Sequence, residues 1–391
     1  MNIVWGIWIL EIRICLGFRY SDFGFCLSTG NSLKNSMLDL IIEKAWEGER
    51  LTKEEALLLW ERADFYTLAT LAHHRRLTLH PESIVTYVID RNINYTNICI
   101  SGCRFCAFYR SPGAEDGYVL SRGELVHKIE ETLSLGGTQI LLQGGMHPDL
   151  GLRFYEDMLR FIKERFAIHI HAFSPPEIVH LARIENLEVE EIVRRLRQRG
   201  LDSIPGGGAE ILVDEVRSKL SPKKCSSSEW LAVMESAHTL GMRTTATMMF
   251  GHIETLEQRL EHLLKLRELQ DRTAGFTAFI PWTFQPDNTG LKTKPATAMD
   301  YLRTLAMSRL VLDNIRNLQV SWVTMGSGVA QVALQFGAND FGSTMIEENV
   351  VAAAGVRHLL SVEQIREIIV DGGYEPRQRT MSYELIEEQR A

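Results

Sequence analysis

The chain has 391 residues, 45% of them hydrophobic and 24% charged, with a net charge of −8 at pH 7. That length suits one large α/β barrel with extensions and excludes a small disulfide-stapled module. The acidic balance argues against nucleic-acid binding and against electrostatic attachment to an anionic membrane.

Residues 1–36 read differently from the rest. "IVWGIWIL" is apolar, but Glu11 and Arg13 soon interrupt it, so it is too short to span a bilayer. No basic segment precedes it, as a signal peptide requires. Met37 opens "MLDLIIEKAWEGERLTKEEALLLWE", which has clear helical spacing. The reading is that the native start is Met37 and that residues 1–36 are a mis-assigned extension.

Residues 37–82 then form a helical segment, 83–345 a barrel, and 346–391 a helical extension ending in a polar tail. The strands expected in the barrel are "SIVTYVID", "TQILLQGG", "AIHIHAF", "RTTATMMF", "GFTAFIPW" and "LQVSWVT". Amphipathic runs such as "LEQRLEHLLKLRELQ" lie between them, and this alternation means a parallel sheet with right-handed crossovers. Five helix starts carry capping boxes: Ser121 with Glu124, Ser174 with Glu177, Ser226 with Glu229, Thr255 with Gln258, and Ser361 with Gln364. The fold class is therefore α/β, a TIM-type barrel that is complete or nearly so.

Three of the six cysteines crowd into "NYTNICISGCRFCAFYR", at Cys99, Cys103 and Cys106, while Cys15, Cys26 and Cys225 are scattered. A tight cluster in a large protein reads as a metal site in a reducing compartment, hence a cytoplasmic protein. Soft thiolates select zinc or iron–sulfur. Two readings are open on residue types: a zinc-binding structural module with a histidine as fourth ligand, or an iron–sulfur centre with one open position.

The remaining informative segments fall at strand ends, where a barrel keeps its chemistry. "LLQGGMHPD" places Gln143, Gly144 and Gly145 there, and the plain reading is a tight glycine turn. His169 and His171 in "HIHAFSPPE" are two apart and share one face of a strand. "PGGGAE" allows close backbone approach to a ligand and ends in Glu210, with Arg217 in the next helix. "TMMFGHIE" offers His252 and Glu254. "FIPWTFQPDNTG" offers Trp282 and Gln285, a mixture suited to an aromatic ring with hydroxylated substituents.

The order C-x3-C-x2-C, with Tyr95 before it and Phe105 between the last two cysteines, resembles the signature loop of the radical S-adenosylmethionine (SAM) superfamily. The resemblance implies that Cys99, Cys103 and Cys106 hold a [4Fe–4S] cluster whose fourth iron is chelated by SAM. Reductive cleavage of SAM then gives a 5′-deoxyadenosyl radical. It implies that Phe105 abuts the adenine and that Gln143, Gly144 and Gly145 meet the SAM amino group. Glu210 would bind the ribose hydroxyls and Arg217 the carboxylate.

"HAFSPPEI", "PGGGAEIL", "GHIET" and "LRELQDRTAGFTAFIPW" resemble one branch of that superfamily. It holds aminofutalosine synthase, the deazaflavin synthase subunits and dehypoxanthine futalosine cyclase. Trp282 and Gln285 favour the cyclase, with aminofutalosine synthase as the alternative. The resemblance implies abstraction of the C4′ hydrogen of dehypoxanthine futalosine, addition to the benzoate ring, and proton loss to a base, in menaquinone biosynthesis. His171 or His252 would serve as base, and His169, Trp282 and Gln285 would contact substrate. A flavodoxin or ferredoxin would supply electrons.

Overall fold

The computed structural model describes residues 37–356 and 358–387. The reading of residues 1–36, with Cys15 and Cys26, lies outside them. Helices Met37–Trp46, Lys53–Arg62 and Phe65–Leu79 precede the sheet. Thr52 with Glu55 and then Asp64 cap the second and third by accepting free amide N–H groups. Leu59, Trp60, Leu68 and Leu71 are fully buried on this layer. Burying each such side chain stabilises the fold by about 1.5–3 kcal/mol, which secures the layer to the barrel.

The strands are β1 (Ile84–Val88), β2 (Asp90–Asn94), β3 (Gln139–Gln143), β4 (His169–Ala172) and β5 (Ser203–Ile204). They continue with β6 (Arg243–Phe250), β7 (Phe276–Thr283), β8 (Asn317–Leu318), β9 (Asp340–Ser343) and β10 (Glu375–Gln378). β2 to β8 form one seven-stranded sheet in chain order, all parallel. β1 runs directly into β2 and pairs with β9 on one edge and β10 on the other. A bridge from Gln319 to Asp340 links β9 to the end of the larger sheet. The ladder thus returns to its start. This is the α/β barrel expected.

Where sequence and structure differ, the reasons are local. "LQVSWVT" keeps only two residues as strand; Trp322–Met325 turns helical, with the Trp322 indole donating to the Ser343 carbonyl. The expected polar tail contains β10, whose pairing with β1 is parallel and in register from Ile84 to Tyr87. Four of the five capping boxes close reciprocally. At Ser174 the hydroxyl instead donates to the Glu177 carboxylate at 2.6 Å, and Glu177 turns inward. Among the described residues no helix is long and apolar enough to cross a membrane.

Candidate active site at the mouth of the barrel

The cysteine loop leaves the end of β2 and folds over the mouth. It is tied down from three sides. The Cys99 amide donates to the Arg110 carbonyl (2.8 Å), the Arg104 amide to the Leu220 carbonyl (2.9 Å), and the Gly290 amide to the Arg104 carbonyl (2.7 Å). Cys99, Cys103 and Cys106 are free thiols. The amides of Met146 and Ser101 donate to Cys99 Sγ at 3.3 and 3.4 Å, and Ser101 Oγ lies 2.9 Å from Cys103 Sγ. Such bonds stabilise a thiolate and tune the potential of a centre bound to it. Burial pushes the Cys103 thiol up to about 11 and raises Cys106 as well. Without a metal these thiols therefore stay protonated, and metal binding must release their protons.

Gly144 and Gly145, at the end of β3, pass directly beneath this loop. A Cβ on Gly144 would fall 2.4 Å from the Tyr95 ring, and one on Gly145 would fall 2.2 Å from the Ile98 carbonyl oxygen. Neither has a positive φ, so close approach, not a left-handed turn, requires glycine here. Glu177 sits under the same point. It accepts from the Tyr95 hydroxyl (2.6 Å) and the Gly144 amide (3.2 Å), and burial pushes its carboxyl up to about 7.

The "PGGGAE" loop crosses tightly against β6, where a Cβ on Gly206 would lie 2.6 Å from the Thr247 amide nitrogen. It delivers Glu210 in a left-handed conformation, with φ of 40°. Glu210 Oε1 pairs with the Lys224 ammonium at 2.8 Å, while the buried Oε2 has no hydrogen-bond partner. The Lys224 ammonium also stands 5.0 Å from the centre of the Phe105 ring. Arg217 departs from expectation. Its guanidinium donates to the carbonyls of Gly208, Ala209 and Cys225 and is buried, so it braces the loop that carries Glu210.

Below the mouth lies a cavity of about 280 Å³ inside the barrel. Leu141, Ile280, Trp282 and Val320 give it an apolar wall; Asn92, Gln143, Thr245 and Thr247 give it a polar one. His171 lines it and is buried, and that burial pushes its imidazole well below the usual histidine range. His169 stands beneath His171 on the same strand face, and both meet the Ser203 hydroxyl, at 2.7 and 2.6 Å.

Three residues expected to act on substrate, His169, His252 and Gln285, are not in the cavity wall. His252 is held at Nδ1 by Glu254 (2.8 Å) and at Nε2 by the Met249 carbonyl (3.1 Å). Glu254 is in turn fixed by Arg259. Burial alone would raise the Glu254 carboxyl, but His252 and Arg259 hold it down at about 2. This is a structural clamp, with no free nitrogen for a base. Gln285 donates its amide back to the carbonyl and hydroxyl of Thr283.

Comparison with known proteins decides the family. Residues 93–266 match the radical SAM superfamily, and residues 273–391 match the CofH/MqnC C-terminal region. A cyclic dehypoxanthine futalosine synthase of Halalkalibacterium halodurans is 51% identical, over 89% of this chain and 95% of that protein. The chain belongs to the CofH/MqnC family of radical SAM proteins. A relative of the same name from Streptomyces coelicolor is 45% identical, over 89% of this chain and 88% of that protein. A Methanosarcina barkeri 5-amino-6-(D-ribitylamino)uracil–L-tyrosine 4-hydroxyphenyl transferase is 40% identical, over 91% and 96%. The barrel also resembles the FeFe-hydrogenase maturase HydG from Carboxydothermus hydrogenoformans, with a TM-score of 0.70, 19% identity, and coverage of 88% and 80%.

Radical SAM enzymes use a [4Fe–4S] cluster and SAM, and the mouth fits both. Among the described residues no group of three or more His, Cys, Asp or Glu side chains is placed to share one metal ion. A four-iron cluster asks for something else, three thiolates each on its own iron. Glu210 Oε2, which makes no hydrogen bond and has the Arg217 guanidinium 3.8 Å away, is a ready acceptor for a ligand hydroxyl.

Sequence reasoning missed Lys224, which no motif marks. It read Glu177 only as a cap. It also passed over Asp90, Asn92 and Asn94, although polar residues at every second position of a fully buried strand were a visible sign of a polar lumen.

Proposed function

We propose that this radical SAM enzyme cyclises dehypoxanthine futalosine to cyclic dehypoxanthine futalosine. The observation that carries the reading is the 51% identity over 95% of a relative that bears that activity's name. When bound, the cluster and SAM supply a 5′-deoxyadenosyl radical that takes a hydrogen atom from the substrate.

The chain's own work is holding and excluding. Cys99, Cys103 and Cys106 hold the cluster, Phe105 packs on the adenine, and Glu210, set by Lys224, takes the ribose hydroxyls. Gln143 and the carbonyls near Gly144 and Gly145 face the SAM amino group. The apolar wall of the cavity keeps water from the substrate radical. Trp282, Ile280 and Leu141 pack on the benzoate ring, and the hydroxyl and amide wall meets the sugar. His171 is the base, since of the two histidines expected to serve it alone lines the cavity. A flavodoxin or ferredoxin supplies the electron, in the cytoplasm.

The test is anaerobic incubation of reconstituted enzyme with reductant, SAM and dehypoxanthine futalosine, read by mass spectrometry. Expected are equimolar 5′-deoxyadenosine and a product lacking two hydrogens. Turnover of an enolpyruvyl benzoate into a product that retains the adenosyl group would replace this reading with aminofutalosine synthase. Turnover of tyrosine with 5-amino-6-(D-ribitylamino)uracil would replace it with the reaction named for the archaeal relatives.

A further inference from the structure

We propose that Ser203 and His169 form the path by which the proton lost in cyclisation leaves the lumen after His171 receives it, a role that rests on the cyclase reading. The path uses one tautomer of His171, with Nε2 as acceptor and Nδ1 as donor. The Gly206 amide, which can only donate, donates to Thr245 Oγ1 at 3.1 Å. Thr245 Oγ1 lies 3.5 Å from His171 Nε2, where its own hydrogen can point toward that nitrogen. In that arrangement Nε2 is an acceptor and Nδ1 carries the proton. His171 Nδ1 donates to Ser203 Oγ (2.6 Å), and the Ser203 hydroxyl donates to His169 Nε2 (2.7 Å). One hydroxyl between two imidazoles allows this alternating order or its reverse, and only this one leaves His171 Nε2 free to accept. The Thr245 contact is long, which leaves the Nε2 lone pair open to the cavity.

Burial explains why a path is needed. His171 is 6% exposed, and an imidazolium there is costly. A base that holds a charge poorly must pass on one proton as it takes another. Burial lowers the His169 imidazole too, and Lys163 adds to this. But His169 is only partly buried and Asp202 beside it favours its charged form, whereas at His171 burial, His169 and Arg379 all oppose a charge. Asp202 is itself bound to Lys163 and to the Ile170 amide, so this end of the path is held in place.

The step balances as follows. The ring C–H bond breaks and an N–H bond forms at His171 Nε2, as the Nδ1 proton moves to Ser203 Oγ and the Ser203 proton moves to His169 Nε2. The C–H pair stays in the ring, which regains aromaticity by giving one electron to a one-electron acceptor of the iron–sulfur class.

The experiment uses reconstituted holoenzyme carrying Ser203→Ala or His169→Gln. It compares cyclised product with 5′-deoxyadenosine across pH and in heavy water. We expect both variants to form deoxyadenosine while the ratio of product to deoxyadenosine falls at least about tenfold, within the span of lost acid–base catalysis. Product formation in the variants should rise with pH, and Ser203→Thr should restore the ratio. A wild-type ratio and pH profile in both variants would overturn the path. So would a parallel loss of deoxyadenosine and product in both, since that marks a structural role. Wild-type enzyme that makes no cyclised product would overturn the cyclase reading itself, and this path with it.

Discussion

The mouth and the floor of the barrel both bury carboxylates, and they treat them in opposite ways. At the floor, Asp340 is fully buried and meets Arg379 through two bonds of 2.5 and 2.9 Å, with the Thr86 hydroxyl adding a third. At the mouth, Glu177 has three neutral donors and no cation, and Glu210 keeps one oxygen without a hydrogen bond. Where charge is satisfied inside the protein, it holds the fold. Where valence is left over, something else is meant to complete it.

The sharpest test of the mouth is Cys103→Ala. It should abolish 5′-deoxyadenosine formation, read by chromatography, while circular dichroism shows an intact fold. Wild-type deoxyadenosine formation by this variant would break the assignment of open valence to the cysteine loop.

The floor should answer with stability. Arg379→Ala strands a buried carboxylate and should lower the free energy of unfolding by about 3–5 kcal/mol in urea titrations. A smaller loss than at an exposed pair such as Arg194 with Glu191 would contradict the contrast.

Glu177 tests the same contrast through pH. Its carboxyl is raised from 4.5 to about 7 in the fold, so the stability tied to its proton is fully present below about 4.5. It is lost as pH rises through about 7. The loss should reach roughly 3 kcal/mol. Glu177→Gln has no such proton to lose, so its stability should be flatter across that window in urea titrations at stepped pH.

The smallest expected effect is Gly145→Ala, at about 1–3 kcal/mol for an overpacked contact. Iron content after reconstitution should fall more than melting temperature does, because the clash is with the cysteine loop.

The sequence carried the long elements well. β6 and β7 are eight-residue runs of β-formers, and four capping boxes marked helix starts to the residue. β5 has two residues, and β9 reads "DFGS", so neither offers a periodicity to detect. The cysteines were legible because spacing alone defines them. His252 was not, because a strand end does not reveal which way the next side chain turns. Lys224 belongs to the site only through tertiary contact with Glu210 and Phe105.

β1 has one further consequence, for the order of synthesis. Both its partners, β9 and β10, lie beyond residue 339. As the chain emerges from the ribosome, this early strand waits with two bare edges until almost everything after it has been made. Pairings so distant in sequence are slow to form and expose strand edges meanwhile. The first strand of the barrel is thus among the last to be secured, and nascent chains stalled before residue 340 should be the ones that chaperones hold.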